Sequence, residues 1–141
     1  MSEVLFTVGT VPFALAGGAH LAMTLYDLRH PTFFKPTDGS LIGALDATGF
    51  AVSARAPLAR SAWRTWVGLN LSHALGLIVF AVLLFAVAVH DYTLVSEIPI
   101  VQPLSIVTAL AYVVFSLRFW FLTPAILSSI GLGCFVAAAL L

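Results

Sequence analysis

Four long apolar runs dominate this sequence, and they restrict the chain to a fold that spans a membrane. They cover residues 4–25, 66–89, 102–120 and 124–141. A bilayer core about 30 Å thick is crossed by roughly 20 helical residues, so each run is long enough to span it. Charged residues make up only 9% of the chain, against about 25% in soluble domains. We therefore predict an all-α, integral membrane four-helix bundle forming one domain over residues 1–141.

Composition excludes several classes of function. The single cysteine, Cys134, excludes an internal disulfide and any metal cage built from several thiolates. The formal net charge is zero, so nothing indicates a nucleic-acid partner. The sequence contains no glycine-rich phosphate loop, nucleophile elbow or acidic pair. We accordingly predict no metal ion and no nucleic acid among its ligands.

The basic residues predict the orientation of the bundle. The connections after the first and third spans carry them, whereas both termini and the second connection have no Lys or Arg. By the positive-inside rule, the basic connections face the cytoplasm and both termini lie on the other side. The residues are Arg29, Lys35, Arg55, Arg60, Arg64 and Arg118.

The first connection, residues 26–62, is unusually long for a loop in a compact domain. It is too apolar for plain disorder, and residues 39–52 (GSLIGALDATGFAV) suit a short amphipathic helix on the membrane surface. The connection is therefore either an interfacial connector or a lid over a cavity. For Asp27, at its start, a pairing with Arg29 or Arg64 is one expectation, and a part in proton transfer is the less favoured alternative.

Polar side chains inside the spans form the candidate site. His20, His73 and Tyr112 are each predicted to lie about 9–10 Å from the cytoplasmic ends of their spans. Asn70 and His73 are three positions apart, so they share one face of their helix. Ionisable residues at membrane depth are functional candidates by default, because burying them in hydrocarbon is costly.

These residues suggest acid–base chemistry on a lipophilic small molecule. His73 would exchange protons with the ligand, and His20 would be the complementary acid or base. Asn70 would hold the tautomer of His73 or a substrate oxygen, and Tyr112 would donate a hydroxyl hydrogen bond. Isomerisation, cyclisation or hydration of an isoprenoid-like compound needs no other groups.

Two alternatives stay open at this point. In the first, His20 and His73 are the axial ligands of a haem b, and Gly17 and Gly76 leave space for the macrocycle. In the second, the polar layer only fixes helix register, and the chain is an accessory subunit in a homo-oligomer or a larger membrane complex.

The run WRTWVGLNLSHALG, with GGAHL before it and HPTFFKPTDGSL between them, carries a family resemblance. It resembles a group of small, uncharacterised bacterial four-helix membrane proteins with a W-x-G-x-N-x-S-H-x-x-G run in the second span. The resemblance covers the first two spans and their connection. It singles out His20, Trp66, Asn70, Ser72, His73 and Gly76. It implies a bacterial inner membrane protein and no particular activity.

Overall fold

The computed structural model describes residues 1–53 and 56–141, with side chains outside 50–60. Arg55, one of the residues that predict the orientation, lies outside the described residues. Within the described residues, six helices and two strands follow one another. They are α1 (Ser2–Asp27), α2 (Ser40–Ala47), β1 (Gly49–Ser53), β2 (Ala56–Ser61), α3 (Ala62–His90), α4 (Thr93–Glu97), α5 (Val101–Phe119) and α6 (Leu122–Leu140).

The four predicted spans correspond to the four long helices, α1, α3, α5 and α6. Each is long and apolar enough to cross a membrane. Their ends differ from the prediction by a few residues, most at α3, which begins at Ala62 instead of Trp66. Apolarity marks the part of a helix that lies in hydrocarbon, whereas the backbone continues its helical hydrogen bonds into the interface.

The connection between α1 and α3 contains a two-stranded hairpin, which the all-α prediction did not include. The amphipathic helix predicted over residues 39–52 is present only as α2, which ends at Ala47. The second half of that segment instead becomes β1, which pairs antiparallel with β2, with Gly49 opposite Ser61. The sequence GFAVS after Thr48 is rich in β-branched and aromatic residues, which favour an extended strand over a helix.

Side-chain hydrogen bonds mark the starts of the two short helices. Asp38 accepts hydrogen bonds from the amide and the hydroxyl of Ser40, at 2.9 and 2.7 Å. Asp91 accepts the same pair from Thr93. These bonds favour the charged carboxylates and hold the pKa of both aspartates below the usual value.

The chain divides into two compact units. One consists of Met1–Gly17 with Gly76–Leu141, and the other of Gly18–Leu75. We call the first the aromatic unit, because phenylalanine rings from α1, α3 and α6 form its centre. Phe13 stacks on Phe135 with centroids 6.0 Å apart, and Phe80 meets Phe13 edge-on at 5.2 Å. The four long helices all contribute to this packing, since Tyr112 of α5 also lies against Phe13.

Two glycines let α1 and α6 approach closely in the aromatic unit. A Cβ atom at Gly131 would collide with the ring of Phe13 and would lie 2.9 Å from the carbonyl oxygen of Gly9. A Cβ atom at Gly9 would lie 2.9 Å from the ring of Phe135. Small residues at helix contacts have this role in membranes, where van der Waals packing drives association.

Buried hydroxyl groups of the aromatic unit bond to their own helices. The hydroxyl of Thr10 donates to the carbonyl oxygen of Thr7, and that of Ser105 to the carbonyl oxygen of Val101. Each side chain thus satisfies its donor locally, so no partner on another helix is needed. These residues therefore need no functional explanation.

We expect Gly131→Ala to destabilise the aromatic unit and Gly133→Ala to leave it unchanged. The added methyl at residue 131 meets a ring and a backbone oxygen, and overpacking of this kind costs about 1–3 kcal/mol. Position 133, on the same helix, has open space around it. The unfolding temperature of each variant in detergent, followed by circular dichroism, measures the difference. Equal temperatures for both variants would contradict this packing.

Candidate functional site

The unit Gly18–Leu75, which we call the histidine unit, brings two imidazoles together. His20 lies on α1 and His73 on α3, and their ring centroids are 5.3 Å apart. The rings meet edge to face, at an interplanar angle of 75°. His20 is buried, with 7% of its surface exposed, whereas His73 is half-buried. The pair thus has an inner and an outer member.

Asn70 supports the inner imidazole. Its Nδ2 donates to the carbonyl oxygen of Trp66, one turn earlier on α3, at 2.9 Å. This bond orients the amide group, which is buried at 3% exposure. The side chains of Asn70 and His20 are hydrogen-bonded to each other. An intrahelical bond therefore fixes the amide, and the amide in turn positions the His20 ring.

Phe34, in the connection after α1, packs against the ring of His20. The centroids of the two rings are 4.5 Å apart. The carbonyl oxygen of Phe34 accepts a hydrogen bond of 3.0 Å from Nε1 of Trp66. Trp66 thereby contributes twice, since its own carbonyl holds Asn70 and its indole holds the segment that covers His20.

Asp27, the last residue of α1, holds the same segment from the other end. It is 1% exposed. Its Oδ1 accepts hydrogen bonds from the backbone N–H groups of Thr32 and Phe33, at 2.8 and 2.9 Å. Its Oδ2 accepts one from the N–H of Phe34 at 2.7 Å. Backbone amides of the connection therefore engage both oxygens of this carboxylate. The pairing with an arginine stays a prediction.

The roles of Phe34 and Asp27 were not predicted from the sequence. A helix-terminal aspartate followed by HPTFF was a usable signal, because proline bends the chain and leaves the next N–H groups for a nearby acceptor. Nothing in the sequence indicates that the indole of Trp66 bonds to the carbonyl oxygen of Phe34, since these two residues are far apart in the chain.

The remaining predicted site residues have different surroundings. Tyr112 belongs to the aromatic unit, where its ring lies 5.9 Å from that of Phe13. A Cβ atom at Gly76 would be 3.9 Å from the Tyr112 hydroxyl. At Gly17, a Cβ atom would lie 2.8 Å from the side chain of Ile78. Gly17 therefore allows close contact between α1 and α3, instead of leaving room for a ligand.

This geometry disfavours the haem alternative. A bis-histidine haem requires the flat macrocycle to lie between the two imidazoles, each bound to the central iron. Here the edge of one imidazole touches the face of the other, and the ring of Phe34 lies against His20. Among the described residues, no group of three His, Cys, Asp or Glu side chains is placed to hold a metal ion.

Comparison with known proteins found no match to any family model, curated protein or solved structure. The resemblance carried by the second span therefore stays a prediction.

We expect Asp27→Asn to loosen the segment that covers His20. An amide has one accepting oxygen where the carboxylate has two, and hydrogen bonds to charged groups contribute about 1.5–3 kcal/mol. Hydrogen exchange of the amides of Thr32–Phe34 should become roughly 10- to 100-fold faster, as mass spectrometry of the detergent-solubilised protein would show.

Asp38→Asn is the matched control for Asp27→Asn. Asp38 also accepts backbone and side-chain hydrogen bonds, but it lies at the exposed start of α2. The Asp38→Asn variant should leave hydrogen exchange of the amides of residues 32–34 unchanged. Unchanged exchange there in Asp27→Asn would contradict the role assigned to Asp27.

Proposed function

We propose that the histidine unit binds a lipophilic small molecule beside His73 and exchanges protons with it. The observation that carries this proposal is the edge-to-face contact of His20 and His73, with His20 hydrogen-bonded to Asn70. The chain is a four-span membrane protein in which two imidazoles occupy the helical segments. Such groups are costly in hydrocarbon, which favours a function for them.

The difference in burial suggests separate roles for the two imidazoles. His73 is half-buried, so it is the ring that a ligand can reach. His20 is enclosed by His73 and Phe34 and held by Asn70, so it acts as the proton partner of His73. An imidazole both accepts and donates protons at cellular pH, and two of them in contact can remove a proton at one atom and return it at another.

The reaction class follows from the groups available. Isomerisation, cyclisation or hydration of an isoprenoid-like compound requires proton delivery and proton removal, with no nucleophile from the protein and no electron carrier. In hydration, water is the nucleophile. Asn70 is a positioning residue in this scheme, because it acts through His20. The hydroxyl-donor role of Tyr112 stays a prediction.

Replacing His73 tests ligand binding. We expect an organic extract of the purified wild-type protein to contain a lipophilic species that is at least tenfold depleted in His73→Ala. Mass spectrometry of extracts from matched amounts of folded protein measures this. Ser72→Ala is the control, since that hydroxyl is exposed and donates to the carbonyl of Gly68 on its own helix.

If the extracts of wild type and His73→Ala were identical, the ligand proposal would fail. The histidines would then serve only to pack helices, and the accessory-subunit alternative would take its place.

Proton exchange is tested by incubating the ligand-loaded protein in D₂O. We expect deuterium to appear at a carbon of the extracted ligand with the wild-type protein. A variant that binds the ligand but exchanges no proton, for which His73→Gln is the first choice, should give no label. Labelling by both proteins would show that the exchange does not need His73. Labelling by neither protein would restrict the site to binding.

We further propose that the α1–α3 connection faces the cytoplasm and that both termini lie outside, as the positive-inside rule indicates. Alkaline phosphatase fused after Leu141 should then be active in intact bacterial cells, and a green fluorescent protein fused there should be dark. The same reporters inserted at residue 39, in the connection, should give the opposite result. Reversed signals at both places would overturn this orientation.

A further inference from the structure

A surface cavity of about 590 Å³ lies at the end of α1, on the histidine unit. All six residues that line it are exposed. They are Ala22, Leu25, Tyr26, Leu28, Arg29 and His30. None of them belongs to the cluster formed by the two imidazoles and Asn70, so the cavity requires its own explanation.

The lining changes from apolar to basic along the helix. Ala22, Leu25 and Tyr26 share one face of α1, because positions three and four apart lie above one another. These three residues lie within α1, whereas Arg29 and His30 follow its last residue, where the chain leaves the apolar run. An apolar wall therefore continues directly into two basic side chains.

Aromatic contacts position His30 at the basic end of the cavity. The ring of Tyr26 lies 5.5 Å from the imidazole of His30 and 5.7 Å from the ring of Phe33. Tyrosine is enriched at this depth because its ring is apolar and its hydroxyl is polar. The contact keeps His30 beside the cavity instead of leaving it free in solvent.

The negative groups next to Arg29 in the chain already have hydrogen-bond partners. The carboxylate of Asp27 is buried and binds the amides of residues 32–34. The carbonyl oxygen of Tyr26, at the negative end of the helix, accepts hydrogen bonds from the N–H groups of Arg29 and His30. The positive charge of Arg29 is thus not cancelled by the groups next to it in the chain.

We propose that this cavity binds an anionic phospholipid. The phosphate of the headgroup would lie between Arg29 and His30, and an acyl chain would follow Ala22 and Leu25 into the bilayer. Basic pockets at the membrane surface recognise anionic headgroups, and the cytoplasmic leaflet, which the positive-inside rule assigns to this end of α1, carries such lipids. The apolar wall selects a lipid over a soluble phosphate ester, because only a lipid has a chain to place there.

The test is a titration of the whole protein in neutral detergent with phosphatidylglycerol or phosphatidylcholine, with bound lipid counted by native mass spectrometry. We expect phosphatidylglycerol to bind more tightly to the wild-type protein. Arg29→Gln should weaken its binding about fivefold, the effect of removing one basic residue at a membrane surface. Arg29→Gln with His30→Gln should weaken it further, and phosphatidylcholine binding should not change.

Arg118→Gln is the matched control, because Arg118 is an exposed basic residue at the end of α5 that does not line the cavity. It should leave phosphatidylglycerol binding unchanged. Circular dichroism confirms that the variants are folded, which is expected because Arg29 and His30 are exposed.

Three results would overturn the proposal. Equal affinity for the two lipids would show that the cavity does not recognise the negative charge of the headgroup. Equal weakening by Arg118→Gln and Arg29→Gln would show a general effect of net charge. Displacement of the lipid by equimolar glycerophosphoglycerol, the headgroup without acyl chains, would show that a soluble phosphate ester suffices.

Discussion

Inside a bilayer no water is available to satisfy a polar group, so each one must find its partner within the protein. The backbone meets this requirement by forming helices throughout the apolar runs. The hydroxyls of Thr10 and Ser105 meet it by bonding to carbonyl oxygens of their own helices. Side chains that cannot be satisfied on one helix must be brought together by two, and His20 and Asn70 are such a pair.

The two units respond to this constraint in different ways. In the aromatic unit, glycines at positions 9 and 131 allow phenylalanine rings to fill the space between α1 and α6. Dispersion contacts of these rings stabilise a packed apolar interior. In the histidine unit, the imidazole of His20 and the amide of Asn70 occupy buried positions instead. They are hydrogen-bonded to each other, and the rings of Phe34 and His73 lie against His20. The imidazole pair and its amide partner therefore belong to the histidine unit.

The connection between α1 and α3 is part of the candidate site. Three amides of its first turn bind the carboxylate of Asp27, and its Phe34 carbonyl binds the indole of Trp66. A loop held at two points keeps an aromatic ring over His20 without adding a helix. The same turn places Arg29 and His30 beside an apolar wall, so one folded connection serves both the imidazole pair and the proposed lipid site.

The sequence by itself determined the four spans, because hydrophobicity over about 20 residues is a local property that neighbours do not alter. It also predicted that the intramembrane histidines matter, since an imidazole in an apolar run is costly wherever it lies. Helical spacing placed Asn70 and His73 on one face. Only the tertiary structure decided that His20 contacts both of them, that Asp27 binds backbone amides, and that the connection contains a hairpin. Those features depend on which groups meet across long stretches of chain, and the spacing of residues within one helix carries no information about them.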